Sequence, residues 1–403
     1  MKKYNSTIIL ILSFYISYGQ VPWYQSYSFS DKILDKLSKD SLNSHAAENL
    51  SFIGEYEKAL LIWDRDERKM PADMTPEQTK QFSKFKAVSA KDYILERAKT
   101  EQIIIINEAH QQPYHRVFTT SLLHDLYKSG FKYFGAETIS NYEFTLKDIQ
   151  KNKFPNLHSG YYTCEPLYGN LVREAINEGY EIFAYETTRR GGTSDSSGIN
   201  LREVDQAKNI KKILDKDPKA KILIHCGWDH IVEAPYPAWG KAMAGRLYEY
   251  TGINPFTIDQ TKLTEHSSAE YQNPYWTSLN LDYYAMFVDS IGQAFYGPQE
   301  YKQYDARVYH PKTKWLHGRP HWVFENNRTP YYVKEKITVQ FPCLVFAFIP
   351  KEKKENEYAI PFDIIELKTS ADKKALSLKK GQQFTIIIRD MNFKEQKFDV
   401  TVD

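Results

Sequence analysis

Several acids and two histidines stand where short apolar runs stop. Ile103-Ile104-Ile105-Ile106 leads into Asn107-Glu108-Ala109-His110, and Tyr133-Phe134-Gly135-Ala136 leads into Glu137. Ile182-Phe183-Ala184-Tyr185 leads into Glu186, and Ile222-Leu223-Ile224-His225 into Gly227-Trp228-Asp229-His230. Carboxylates and imidazoles brought together are the parts of an acid/base site or a metal site. An acid/base site that activates water would need a base and a cation for the charge that develops. His110 supplies the base, and Glu108 or Glu137 the carboxylate that raises its pKa and fixes its tautomer. Arg202 supplies the cation, with Arg189 and Arg190 as rivals. A metal version uses the same side chains. His110, His230 and Glu137 or Glu186 would then hold zinc or manganese, with water in the open position.

These residues can meet only if the runs are strands of one sheet. Short apolar runs followed by turn residues read as buried strands. The stretches between them are amphipathic: Phe118, Leu122, Leu123 and Leu126 before Gly130, 171–178 before Gly179, and Val204, Ala207, Ile210, Ile213 and Leu214 on one face. They read as crossover helices, which make the sheet parallel. Ligands bind outside the carboxyl ends of such strands, so the polar ends gather on one edge. The expected class is α/β, a mostly parallel sheet with flanking helices. Residues 20–99 read as a helical segment, with Leu50, Ile53, Tyr56, Ala59, Leu60 and Trp63 at helical spacing and a capping box at Thr75-Pro76-Glu77-Gln78. Residues 263–330 are rich in Tyr, Trp and His and weakly periodic. They read as insertions that roof the cleft and complete a core unit of 100–330. From Tyr331 the period changes to two. Strands at 337–341, 344–349, 362–367, 384–388 and 398–402 make 331–403 a small antiparallel β unit without candidate chemistry.

Composition narrows the classes further. A net charge of +2 gives no electrostatic case for a nucleic-acid partner. Lys2-Lys3, an apolar stretch over 8–16, then Ser17 and Gly19 read as a secretory signal peptide over 1–19, so the protein is expected to be exported, periplasmic or secreted. That stretch is too short to span a bilayer. Cys164, Cys226 and Cys343 fit no metal spacing, and their odd number leaves a thiol free; a Cys164–Cys226 disulfide competes with a buried free Cys226. The glycine-rich stretch 189–198 lacks the spacing of a nucleotide loop and reads as an active-site loop after Glu186. His225, inside its run, reads as a core histidine, and His124 as a surface one. His317, Arg319 and His321 beside Trp315 and Trp322 could roof the cleft, bind a metal, or form a solvated aromatic loop.

The ordered set Asn107-Glu108-Ala109-His110, Glu137, Glu186 and Gly227-Trp228-Asp229-His230 resembles the superfamily that joins the erythromycin esterases, the ChaN haem-binding proteins and the TraB/Tiki proteins. The shared pattern is a GExH motif after the first strand, glutamates after the next strands and a later GxxH. The stretch 202–210 also looks like the arginine-bearing helix of the esterase-like members, and the resemblance covers 100–262. Asn107 departs from the pattern by replacing the first glycine. The resemblance implies hydrolysis of an ester, lactone or amide in a small-molecule or peptide substrate. Its alternatives are a divalent-metal hydrolase and a non-enzymatic haem or iron-binding protein.

Overall fold

The computed structural model describes residues 26–39, 42–189, 196–236, 239–298, 303–333 and 336–403. The expected leader over 1–19, Arg190 and most of the glycine-rich loop lie outside the described residues. The strands of the first part are β1 (Lys86–Ser89), β2 (Ile103–Glu108), β3 (Phe131–Ala136), β4 (Glu181–Phe183), β5 (Lys221–Gly227), the ribbon β6 (Pro235–Tyr236) and β7 (Gly240–Lys241), β8 (Phe256–Leu263), β9 (Ala285–Val288) and β10 (Ala306–Tyr309). All but the ribbon form one sheet in the order β1-β9-β10-β8-β2-β5-β3-β4. Pairing is parallel from β10 to β4, and β9 runs antiparallel to both its neighbours.

The helices, in chain order, are α1 (Ser30–Leu37), α2 (Asn43–Phe52), α3 (Tyr56–Trp63), α4 (Pro76–Phe82), α5 (Ala90–Arg97), α6 (Tyr114–Lys128), α7 (Glu143–Asn152), α8 (Pro166–Glu178), α9 (Ser196–Lys216) and α10 (Met243–Thr251), followed by the short α11 (Pro274–Thr277) and α12 (Pro350–Glu355). The four isoleucines of β2 show why the run is unbroken. Ile104 and Ile106 pack with Phe118 and Leu122 of α6 and Leu171 of α8, whereas Ile103 and Ile105 pack with Ala207 and Ile210 of α9 and Leu247 of α10. A strand covered on both faces needs apolar side chains at every position. Each fully buried isoleucine contributes about 1.5–3 kcal/mol of burial.

Several expectations are corrected. Residues 86–89 form a strand inside the segment read as helical. Among the described residues, none of 263–330 lines the cleft; they supply β9 and β10, which extend the sheet. Helix α10 begins at Met243, just after the β6–β7 ribbon. No strand forms at 337–341; Arg328–Tyr331 pairs with Leu376–Lys379 instead. The three cysteines are buried and free.

The C-terminal strands Asp363–Leu367, Cys343–Phe348, Gln383–Asp390 and Glu395–Thr401 make an antiparallel sheet in that spatial order. It is not a bystander. Leu344, Phe346, Phe348, Ile364 and Ile387 share one core with Ile33, Leu50, Phe52, Ile53, Ala59 and Ile62 of the N-terminal helices and the turn after α2. The N-terminal helices and the C-terminal sheet therefore pack on each other. Buried pairs fasten this unit to the rest: Arg173 with Glu352 at 2.7 Å and Arg319 with Asp363 at 2.5 Å. Among the described residues no helix is long and apolar enough to cross a membrane.

Candidate active site

The register of the sheet assembles the site. Glu108 at the end of β2 lies opposite Gly227 of β5, and Ala136 at the end of β3 opposite His225. The polar residues that follow these strands open into one cleft of about 530 Å³. His110, Glu137, Glu186, Arg202 and His230 line it, together with Thr138 and Asp229. Its walls are aromatic: Trp63, Tyr161, Tyr162, Trp228 and Trp239, with Glu67 at one side.

Glu108 is not in the cleft but behind His110. It is fully buried and accepts from Arg116 Nε at 2.6 Å, Arg116 Nη2 at 2.7 Å, His225 Nε2 at 2.8 Å and His110 Nδ1 at 2.9 Å. Burial pushes the Glu108 carboxyl up, and the Arg116 guanidinium more than reverses this, holding it well below the usual carboxylate range. A carboxylate facing Nδ1 keeps the proton there, so neutral His110 carries its lone pair on Nε2. Nε2 makes no hydrogen bond to the described residues. The His110 ring is fixed by stacking on Tyr162, with centroids 3.9 Å apart at 17°. Arg116 also donates to the His110 carbonyl at 2.8 Å and to Glu165 Oε2 at 2.9 Å, and Glu165 caps α8 by accepting from Tyr168 N at 2.8 Å. The turn between Glu108 and His110 is pinned by His115, whose Nδ1 accepts from Ala109 N at 3.0 Å. Burial drives His115 down to about 3, so it stays neutral.

The opposite half of the cleft is a lattice of charge. Arg202 of α9 donates through Nε to Glu186 at 3.0 and 3.1 Å and through Nη2 to Glu137 at 2.6 Å. Glu137 also accepts from Gly227 N. His230 places Nε2 3.4 Å from Glu137 and Nδ1 2.9 Å from Glu203, a fully buried carboxylate that also accepts from Met243 N at 2.7 Å. Burial lowers the His230 pKa, and Glu203 with Glu137 outweighs it, raising it to about 10. Folding thus raises this group above its ordinary 6.5, so its stabilising charge is fully present below that pH and fades as pH rises toward about 10. The unfolding free energy of the wild type, measured by denaturant titration, should fall between pH 7 and pH 10, and His230→Gln should flatten that fall. An unchanged slope in the variant would show that His230 does not carry the proton.

Gly227 keeps the centre open. A Cβ there would stand 2.3 Å from His110 Cε1, 2.5 Å from its Nε2 and 2.9 Å from Glu137 Oε2. The His110 ring cannot give way, because Glu108 and Tyr162 hold it. If His110 acts on a substrate, Gly227→Ala should cost most of that activity, on the order of 10²-fold in kcat for a reacting group displaced by about 1 Å. Far-ultraviolet circular dichroism should stay native. Wild-type kcat in this variant would mean that the space beside Gly227 is not where chemistry occurs.

The structure brings His110, Glu137, Glu186, Arg202 and His230 into one cleft and sets Glu108 directly behind it. Arg189, the rival cation, is turned to Asp205 at 2.5 Å. His225 is fully buried, and His124 pairs with Glu178 on the surface. His317, Arg319 and His321 do not line the cleft. Arg319 is buried against Asp363, and His317 Nδ1 contacts Tyr332 Oη at 2.7 Å. Sequence reasoning missed Glu203, Arg116, Glu165, Trp63, Glu67, Tyr161 and Tyr162. The metal version fits the donors poorly. Arg202 occupies the space between Glu137 and Glu186, His230 keeps both ring nitrogens on carboxylates, and among the described residues no three ligating side chains form a metal cluster.

No family model matches the chain, and no curated protein matches it. Among solved structures it is similar to the type III effector HopBA1, at 10% identity and a TM-score of 0.33, over 48% of this chain and 91% of that one. It is also similar to RRSP, a MARTX toxin effector domain from Vibrio vulnificus, at 13% identity and a TM-score of 0.33 over 53% of this chain. A chain described as bacterial protein toxins aligns at 13% identity and a TM-score of 0.33 over 59% of this chain. This chain spans about half the length of those last two, 45% and 48%.

Proposed function

We propose that the cleft is the active site of a hydrolase of the erythromycin-esterase/ChaN/Tiki type, acting on an ester, lactone or amide with His110 as general base. The observation that carries this reading is the buried Glu108 behind His110, which leaves Nε2 bare beside Gly227 and Glu137. Nε2 takes a proton from a water molecule as its oxygen adds to the substrate carbonyl carbon. The carbonyl electron pair moves onto oxygen, and the resulting oxyanion is met by Arg202, whose Nη1 makes no hydrogen bond to the described residues, with the positive charge of His230 in the same cleft adding attraction. Collapse breaks the bond to the leaving alkoxide or amine, which takes the proton back from His110. Glu137 and Glu186 hold Arg202 and His230 in place before the charge develops.

Because Arg202 stands where a cation is needed, activity should not depend on a metal. The purified protein is assayed on p-nitrophenyl esters and aliphatic lactones before and after dialysis against chelator, with metal removal verified by elemental analysis. Retained activity is the expected result. A loss restored by zinc or manganese would overturn the metal-free route, and no hydrolysis of any ester, lactone or amide would overturn the hydrolase reading.

A further inference from the structure

One end of the cleft is built for something other than bond cleavage. Trp63, at the end of α3, stacks on Trp228 with centroids 5.3 Å apart at 14°. Trp63 Nε1 donates to Glu67 Oε1 at 2.9 Å, which orients that carboxylate beside the stacked indoles. Glu137 and Glu186 are already committed to Arg202, but Glu67 has no cationic partner among the described residues. Trp228 is held at φ 43°, a left-handed conformation that bulky residues rarely adopt. Its carbonyl is pinned by Asn107 Nδ2 at 2.9 Å, which gives Asn107 a task that glycine could not perform. A strained tryptophan, locked from behind and paired with a second one, is a feature held for contact with a ligand.

We infer that Trp63, Trp228 and Glu67 bind an ammonium group, and that the substrate of this cleft carries a tertiary or quaternary amine. Indole faces attract cations through the ring quadrupole, and a carboxylate whose partner among the described residues is a neutral donor adds direct charge attraction. A neutral sugar ring would use the same faces but gain nothing from the charge of Glu67. The substrate half of this inference rests on the hydrolase reading; the ammonium site does not.

The test is calorimetric titration of the full chain with choline and with its neutral isostere 3,3-dimethyl-1-butanol. Choline should bind at least about tenfold more tightly. Glu67→Gln should remove most of that preference while leaving the neutral alcohol unchanged, and Trp63→Leu should weaken choline as well. Equal binding of the two probes, or undiminished choline affinity in Glu67→Gln, overturns the site. The same titration on His110→Ala should show wild-type choline affinity, since His110 lies outside the ammonium subsite. Kinetics then separate the two ideas. Acetylcholine should exceed 3,3-dimethylbutyl acetate in kcat/KM. Equal rates on both esters would sink the cationic substrate alone, whereas choline binding without hydrolysis of any ester would sink the hydrolase alone.

Discussion

In His110→Ala, kcat/KM for ester hydrolysis should fall about 10²–10⁴-fold, the usual contribution of a positioned general base. The fold should survive. Glu108 keeps its bonds to Arg116 and His225 when the imidazole is removed, so no buried charge loses its only partner. What is lost is one hydrogen bond and the stack on Tyr162, together about 1–2 kcal/mol. Scanning calorimetry should therefore show a small drop in Tm beside the large kinetic defect. Full activity in this variant would remove His110 as the base; unfolding would show that the side chain is structural.

The second large effect lies one layer deeper. Arg116 is fully buried, and its guanidinium serves Glu108, Glu165 and the His110 carbonyl at once. Arg116→Met keeps the bulk but leaves two carboxylates buried and uncompensated. Removing one partner of such a network costs about 3–5 kcal/mol. Urea unfolding at neutral pH should show that loss, and activity should fall with it because nothing then fixes Glu108 behind His110. The pH dependence has a definite sign. Glu108 is depressed by folding, so its share of stability is present above its ordinary value of 4.5 and disappears as pH falls. The gap between wild type and variant should narrow as acid protonates Glu108 in both. Equal stabilities at pH 7 would show that the network contributes nothing.

What could be read before folding follows from how local each signal is. The strand ends at Glu108, Glu137 and Gly227 were legible, because apolar runs that stop at an acid or a turn glycine need no tertiary information. The parallel order followed from the helical spacing between them. The supports of the site were not legible. Glu203 stands next to Arg202 in the sequence, yet nothing local shows that it turns inward to clamp His230; its position on the α10 side of α9 settles that. Arg116 and Glu165 meet only once α6 and α8 lie side by side. Trp63 read as one more apolar residue of a helical stripe, since its contact with Trp228 depends on where the N-terminal helices dock. Residues 263–330 misled for another reason. β9 and β10 are four residues each, too short for a period to show among aromatic side chains.

The core shared by the N-terminal helices and the C-terminal sheet has a consequence in time. The helix that carries Trp63 packs, with its neighbours, on strands synthesised after His110, Arg202 and His230, so the nascent chain holds those three residues before it can fix Trp63 in the wall beside them. A polypeptide stalled before residues 343–367 would hold those polar groups but lack the core on which the Trp63 helix rests. Completion of that wall is thereby tied to the arrival of strands far from it in the sequence.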